Sequence, residues 1–264
     1  MNAPEDIGVL FIGHGTRKPE GIRQFTELCD QVARLLPGLA VGHGFLELAS
    51  PSIQEGLRIL CRHPLRKILA VPVFLFEAGR TKIDIPEAIA EFQRFLPGTP
   101  ILQTPALACH PALLELARQR QLEALSLHGM EPSGKRAVGL AVIGRGGSDR
   151  SAILEMRRFA SLLAESTSPT WCKVGFLAVA KPNLRELLEG ARRSAASTLL
   201  IQPHLFFEGQ LMDEVRELVR EFQGKDVSRR WIIADPYGND PALAQVFAKM
   251  IRQFTQECNL QEYS

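Results

Sequence analysis

A chain of 264 residues with 45% apolar side chains is long enough for one large α/β domain or two smaller ones, and it can fill a sizeable core. A formal net charge of +2 with 23% charged residues argues against a nucleic-acid binder, and no run reaches the roughly 18 apolar residues of a membrane-spanning helix. Five cysteines scattered singly give neither a disulfide framework nor a thiolate zinc site, and an acidic N-terminus unlike a signal peptide reads as cytoplasmic.

Short β-branched runs alternate with stretches of helical periodicity, the pattern of a parallel sheet covered by helices. Strands are expected near 7–12, 39–47, 67–74 and 100–104, and helices near 20–36, 52–62, 85–95 and 111–126. The Gly-, Pro- and Ser-bearing segment Leu127–Arg136 reads as a linker. Strands follow near 139–143, 173–179, 198–206 and 230–234, with helices between them and a last helix near 241–257.

The two halves repeat one another. "LFIGHGTR" matches "AVIGRGGS", "GFLELASPSI" matches "GFLAVAKPNL", and "ILAVPVFLFEAG" matches "LLIQPHLFFEGQ". His14 falls on Arg145, Gly44 on Gly175 and Pro72 on Pro203, always 131 residues apart. Such a register points to an internal duplication and to two similar α/β domains, 1–130 and 131–264, each with a four-stranded parallel sheet flanked by helices. Ligands of such sheets bind outside the carboxyl ends of the strands, so the loops that follow the strands are where chemistry is sought.

The first loop places His14 between Gly13 and Gly15, directly after a strand and before Thr16 and Arg17. An imidazole there serves either as metal ligand and proton acceptor or as a hydrogen-bonding partner of a neighbouring loop. His43, Phe45 and Glu47 share one strand face by alternation, with Glu47 nearest the loops and close to His14 if the two strands are neighbours. His43 lies further back and reads as a packed residue. The third loop, "FEAGRTKIDIP", carries Arg80 and Lys82, two cations suited to carboxylates or phosphates, or else to a solvated turn. A phosphate cradle is the rival reading of the glycines, but neither phosphate-loop spacing is present. In the second half Arg145 stands in place of His14 and Ala178 in place of Glu47, while His204 falls within a strand and Glu208 is a possible contact.

Taken together, "GHGTR", "FLELASPSI", "VPVFLFEAG…DIP", "IGRGGSD" and "PHLFFEG" resemble the long, internally duplicated sirohydrochlorin chelatases, the class II chelatases of siroheme and cobalamin biosynthesis, over about Val9 to Pro241. The resemblance implies two α/β domains enclosing a cleft for an acidic tetrapyrrole. It implies insertion of a divalent metal as substrate, Fe2+ or Co2+ with Ni2+ as a third, and no organic cofactor. Because the duplication already places two halves in one chain a monomer is expected, and charge and hydropathy lead to the expectation that it engages neither nucleic acid nor membrane. His14 matches the family's first-loop histidine and Glu47 the acid of its FLE motif. By the resemblance the N-terminal domain carries the metal site on His14 and Glu47, and the other domain forms the second wall. Arg80, Lys82, Arg17 and Arg145 are the candidates for holding substrate carboxylates.

One departure stands out. The family carries a second histidine four residues before the Asp of its DIP motif, and this chain has Arg80 there. Arginine stays protonated and cannot ligate a metal. Three readings remain open: chelation on His14 and Glu47 alone, a chelatase retuned to another metal or macrocycle, and a tetrapyrrole-binding protein without catalysis.

Overall fold

The computed structural model describes residues 6–130 and 137–261, with Arg80 and residues 257–261 described for their backbone alone. The chain forms two compact units: one runs as far as Leu107 and resumes at Asn239, and the other spans Ala108–Gly238. No helix among the described residues is long and apolar enough to cross a membrane.

The first unit is built on β1 (Ile7–Gly13), β2 (Ala40–Phe45), β3 (Lys67–Pro72) and β4 (Ile101–Gln103), all parallel in the order β2-β1-β3-β4. β1 and β3 are buried along their whole length, as expected of inner parallel strands with both faces covered. On one face α2 (Ile53–Leu60) and α3 (Ile85–Gln93) bury Ile53, Leu57, Ile85 and Phe92 against Leu10 and Ile12. On the other face α1 (Pro19–Leu35) packs against β2 and against the chain's last helix, whose Phe247 meets the Phe11 ring edge-on at 5.8 Å. Ser52 starts α2 with a reciprocal capping box to Glu55, so the sequence sets this helix start locally.

The second unit repeats the design with β5 (Val138–Gly144), β6 (Trp171–Phe176), β7 (Thr198–Pro203) and β8 (Arg230–Ile233) in the order β6-β5-β7-β8. One face is covered by α6 (Leu184–Arg192) and α7 (Gln210–Lys225), which bury Leu187, Leu188, Val219 and Phe222 with Ile143 and Trp231. α6 begins with the matching capping box, Asn183 with Glu186.

The repeat and the compact units do not share a boundary. Helix α4 (Pro111–Leu127) closes the first repeat in sequence, yet it packs on α5 (Arg150–Thr167), β7 and β8 of the second unit. Arg120 fastens it there, donating to the carbonyls of Pro236 at 3.3 Å and Tyr237 at 3.1 Å. Conversely, α8 (Pro241–Gln261) ends the second repeat and covers α1 in the first unit. Arg252 donates to the Leu35 carbonyl, and Gln31 to that of Asn239 at 2.9 Å. The expected division at 130/131 therefore follows the sequence repeat, whereas the cores divide at 107/108 and 238/239. The expected linker overlaps the end of α4 at Leu127, and its residues 131–136 lie outside the described ones.

A fragment ending at Met130 keeps the first sheet but lacks α8. It is expected to leave the apolar face of α1 uncovered and to show weak amide dispersion by NMR and dye binding to exposed apolar surface, where the full chain shows neither.

Candidate active site

The order β2-β1-β3-β4 sends the loop after β1 and the loop after β3 to opposite faces of the sheet, and the crevice between them is where ligands of open parallel sheets bind. Gly13 ends β1 and His14 follows at that crevice. β2 stops at Phe45 rather than at 47, so Glu47 stands in the loop and not on the strand.

Two backbone bonds continue the strand pairing into the loops: Leu46 N–H donates to the Gly13 carbonyl at 3.0 Å and Glu47 N–H to the His14 carbonyl at 3.1 Å. The approach is close because residue 15 is glycine. It sits at φ +93°, and a Cβ there would fall 1.7 Å from the Glu47 carbonyl oxygen. The outcome is a facing pair, with His14 Nδ1 3.5 Å from Glu47 Oε1. Their side chains are 22% and 39% exposed, so both reach solvent without being fully hydrated. The imidazole also lies nearly parallel to Phe74 of the loop after β3, ring centres 6.4 Å apart and planes 27° from parallel. Three loops thus converge on one histidine.

The loop after β3 is itself tied down by Thr81, which is almost fully buried. Its hydroxyl exchanges hydrogen bonds of 2.9 Å with the backbone of Ala78, and its carbonyl accepts one of 3.0 Å from Gln103 of β4. From this anchor a five-residue π-helical turn, Arg80–Asp84, leads into α3. Lys82 is exposed on that turn and Arg17 is exposed on the loop after β1. The Arg80 backbone opens the turn, and its side chain lies outside the described residues.

The second unit keeps the backbone device and replaces the chemistry. Leu177 N–H donates to Gly144, Ala178 N–H to Arg145, and a Cβ on Gly146, at φ +80°, would fall 2.2 Å from the Ala178 carbonyl oxygen. Arg145 is exposed there in the position of His14. Glu208 is held by Arg216 through two bonds of 2.8 and 2.6 Å, so its carboxylate is engaged within its own unit. His204 lies one residue past β7, not within it, where its Nδ1 and the Tyr237 hydroxyl share a 2.6 Å hydrogen bond. Burial pushes its pKa down to about 3. His43 packs edge-on to Phe25 and Phe45, with burial lowering its pKa, as expected of a packed residue.

Among the described residues no group of three or more His, Cys, Asp or Glu side chains could hold a metal ion. His14 and Glu47 are two side chains that could each give one donor atom to a metal, too few to form a closed site by themselves. A cavity of about 290 Å³ lined by Leu46, Gln54, Asp84, Glu87 and Glu91 is separate from His14, and its acidic lining suits no polyanion.

Comparison with known proteins assigns this arrangement to a family. The family model described as CbiX matches residues 8–124 and again 139–254. The chain belongs to the CbiX family. The double match repeats the internal register of 131 residues seen between His14 and Arg145. This CbiX chain is 30% identical to "Sirohydrochlorin cobaltochelatase" of Priestia megaterium, over 90% of its own length and 76% of that protein's. It is 27% identical to "Sirohydrochlorin ferrochelatase" of the same organism, over 92% and 89% of the two chains. Its fold matches the solved structure "SirB from Bacillus subtilis with Fe3+" with a TM-score of 0.83 at 22% identity, covering 97% of this chain and 98% of that one.

Sequence reasoning singled out His14 and Glu47 and the glycines that flank His14, and it missed Phe74 and Thr81. Phe74 was legible from its place at the end of the third apolar strand, and for Gly15 the structure adds the positive φ and the close approach to the Glu47 carbonyl. Thr81 gave no signal, because its role depends on burial.

Gly15→Ala is expected to lower the unfolding free energy by on the order of 2 kcal/mol or more in a urea titration, since the added methyl meets a carbonyl in a disfavoured backbone region. For His204 the folded chain keeps the ring neutral down to about pH 3, whereas the unfolded chain protonates near 6.5. The unfolded state thus binds the extra proton between those values. Stability held by the neutral ring is complete above about pH 6.5 and is lost as the pH falls toward 3. The difference in unfolding free energy between the wild type and His204→Gln is accordingly expected to shrink as urea titrations move from pH 7 to pH 4.

Proposed function

We propose that this chain is a sirohydrochlorin metal chelatase that inserts Fe2+ or Co2+ into the macrocycle. The observation that carries the reading is the His14–Glu47 pair, 3.5 Å apart at the crevice between the loops of β1 and β3. Membership of the CbiX family and the printed activities of the two Priestia megaterium relatives support it.

Chemically, insertion exchanges one divalent ion for the two protons on the pyrrole nitrogens. His14 binds the metal or takes up a pyrrole proton, and with a proton on Nδ1 toward Glu47 the lone pair of Nε2 is the donor atom. Glu47 is the second metal ligand or the relay that passes a proton to water. Two protein donors hold the ion loosely enough for the four nitrogens of the macrocycle to take it. Arg80 and Lys82 orient substrate carboxylates, with Arg17 and, in the other unit, Arg145 as further candidates. On this reading the protein works as a monomer in the cytoplasm on a small molecule and needs no organic cofactor.

The test is anaerobic mixing of the protein with sirohydrochlorin and Fe2+, Co2+ or Ni2+ in turn, followed by absorption against a control without protein, with His14→Ala and Arg80→His in parallel. Insertion above background that His14→Ala lowers at least about a hundredfold is expected, the loss typical of a proton-transfer group. Macrocycle binding without insertion, restored by Arg80→His, overturns the reading in favour of a tetrapyrrole-binding protein.

A further inference from the structure

Leu48 follows Glu47 directly, at the tip of the loop that Gly15 clamps. It is 51% exposed and sits at φ 63°. Both properties are unfavourable for a leucine: the exposed side chain forgoes burial, and the left-handed backbone region suits glycine or asparagine. A turn that served only as a turn would be better filled by either of those residues. The second unit repeats the feature at the matching position, where Val179 is 78% exposed at φ 54°, a poorer conformation still for a β-branched side chain. The same comparison has lost the histidine and the carboxylate, to Arg145 and Ala178, so the apolar tip is not an accessory of the donor pair. A strained, exposed apolar residue beside a candidate site points to something that covers it when the site is filled.

A flat tetrapyrrole has charged edges and apolar faces. The cations on the loops suit the edges. To receive a metal from His14 the macrocycle must bring its face to within coordination distance of that side chain, which sets the face against whatever flanks the donor pair. Resting on the chelatase reading, we infer that Leu48 is an apolar contact for the face of the macrocycle, binding substrate and not metal. Phe74 cannot serve that purpose alone, because it stacks on the His14 ring.

The test compares the wild type with Leu48→Asn, which keeps the left-handed backbone acceptable but removes the apolar surface, and Leu48→Met, which keeps that surface. Metal-free sirohydrochlorin is titrated against each protein under anaerobic conditions, and Co2+ alone is titrated separately. Leu48→Asn is expected to weaken macrocycle binding about tenfold, as losing a half-buried leucine contact would, while Leu48→Met stays within about twofold of the wild type and Co2+ binding is unchanged in both. Equal macrocycle affinity in the wild type and Leu48→Asn overturns the inference and leaves the chelatase reading standing. An equal loss in both variants, or a parallel loss of Co2+ binding, also overturns it, since the effect would then run through the loop backbone. A wild type that does not bind the macrocycle overturns the chelatase reading and this inference with it.

Discussion

Everything at the candidate site depends on one backbone approach, that of residue 15 to the carbonyl of Glu47. With no side chain at Gly15, the loops after β1 and β2 run side by side past the end of the sheet and stay hydrogen-bonded beyond their last strand residues. His14 and Glu47 are then held by main chain on both sides, so their spacing follows from the pleat of the sheet and not from flexible loop conformations. The second unit shows that this device is independent of the residues it displays, since Gly146 makes the same approach beneath an arginine and an alanine. Scaffold and chemistry are separable within a single chain.

Much of this was legible in the sequence because the controlling signals are local. Alternating apolar runs marked the eight strands found among the described residues, and the constant register of 131 residues marked the two sheets and the substitutions between them. Glu47 was placed near His14 by strand alternation, and the proximity held although β2 ends two residues earlier. The reason is that backbone pairing continues past the point where regular strand geometry stops. What the sequence did not disclose was long-range: the anchoring of the third loop by Thr81 and Gln103, and the allegiance of α4 and α8. A helix pattern records that one face is apolar, but not which sheet that face meets.

On the proposed reading, His14 and Glu47 make a poor donor pair by the standard of a resident metal site, and transfer chemistry gives a reason. A protein that held its ion with three or four tight ligands would have to break those bonds before a macrocycle could close around the metal. Two donors, one of which can also take a proton, leave the ion exchangeable. On the proposed reading, Arg80, at the position of the family's second histidine, would add to this by bringing a cation that cannot ligate a metal to the third loop.

The exchange of terminal helices has a consequence for how such a chain came to be stable. In each unit one helix needed to cover a sheet face belongs to the other sequence repeat. A chain one repeat long and of this design would find that helix only in a second copy, so its core would depend on protein concentration. Joining the repeats replaces that dependence with a fixed effective concentration set by the connecting segment. Dilution then no longer threatens the fold, and each repeat is free to lose or change its loop residues while still lending its last helix.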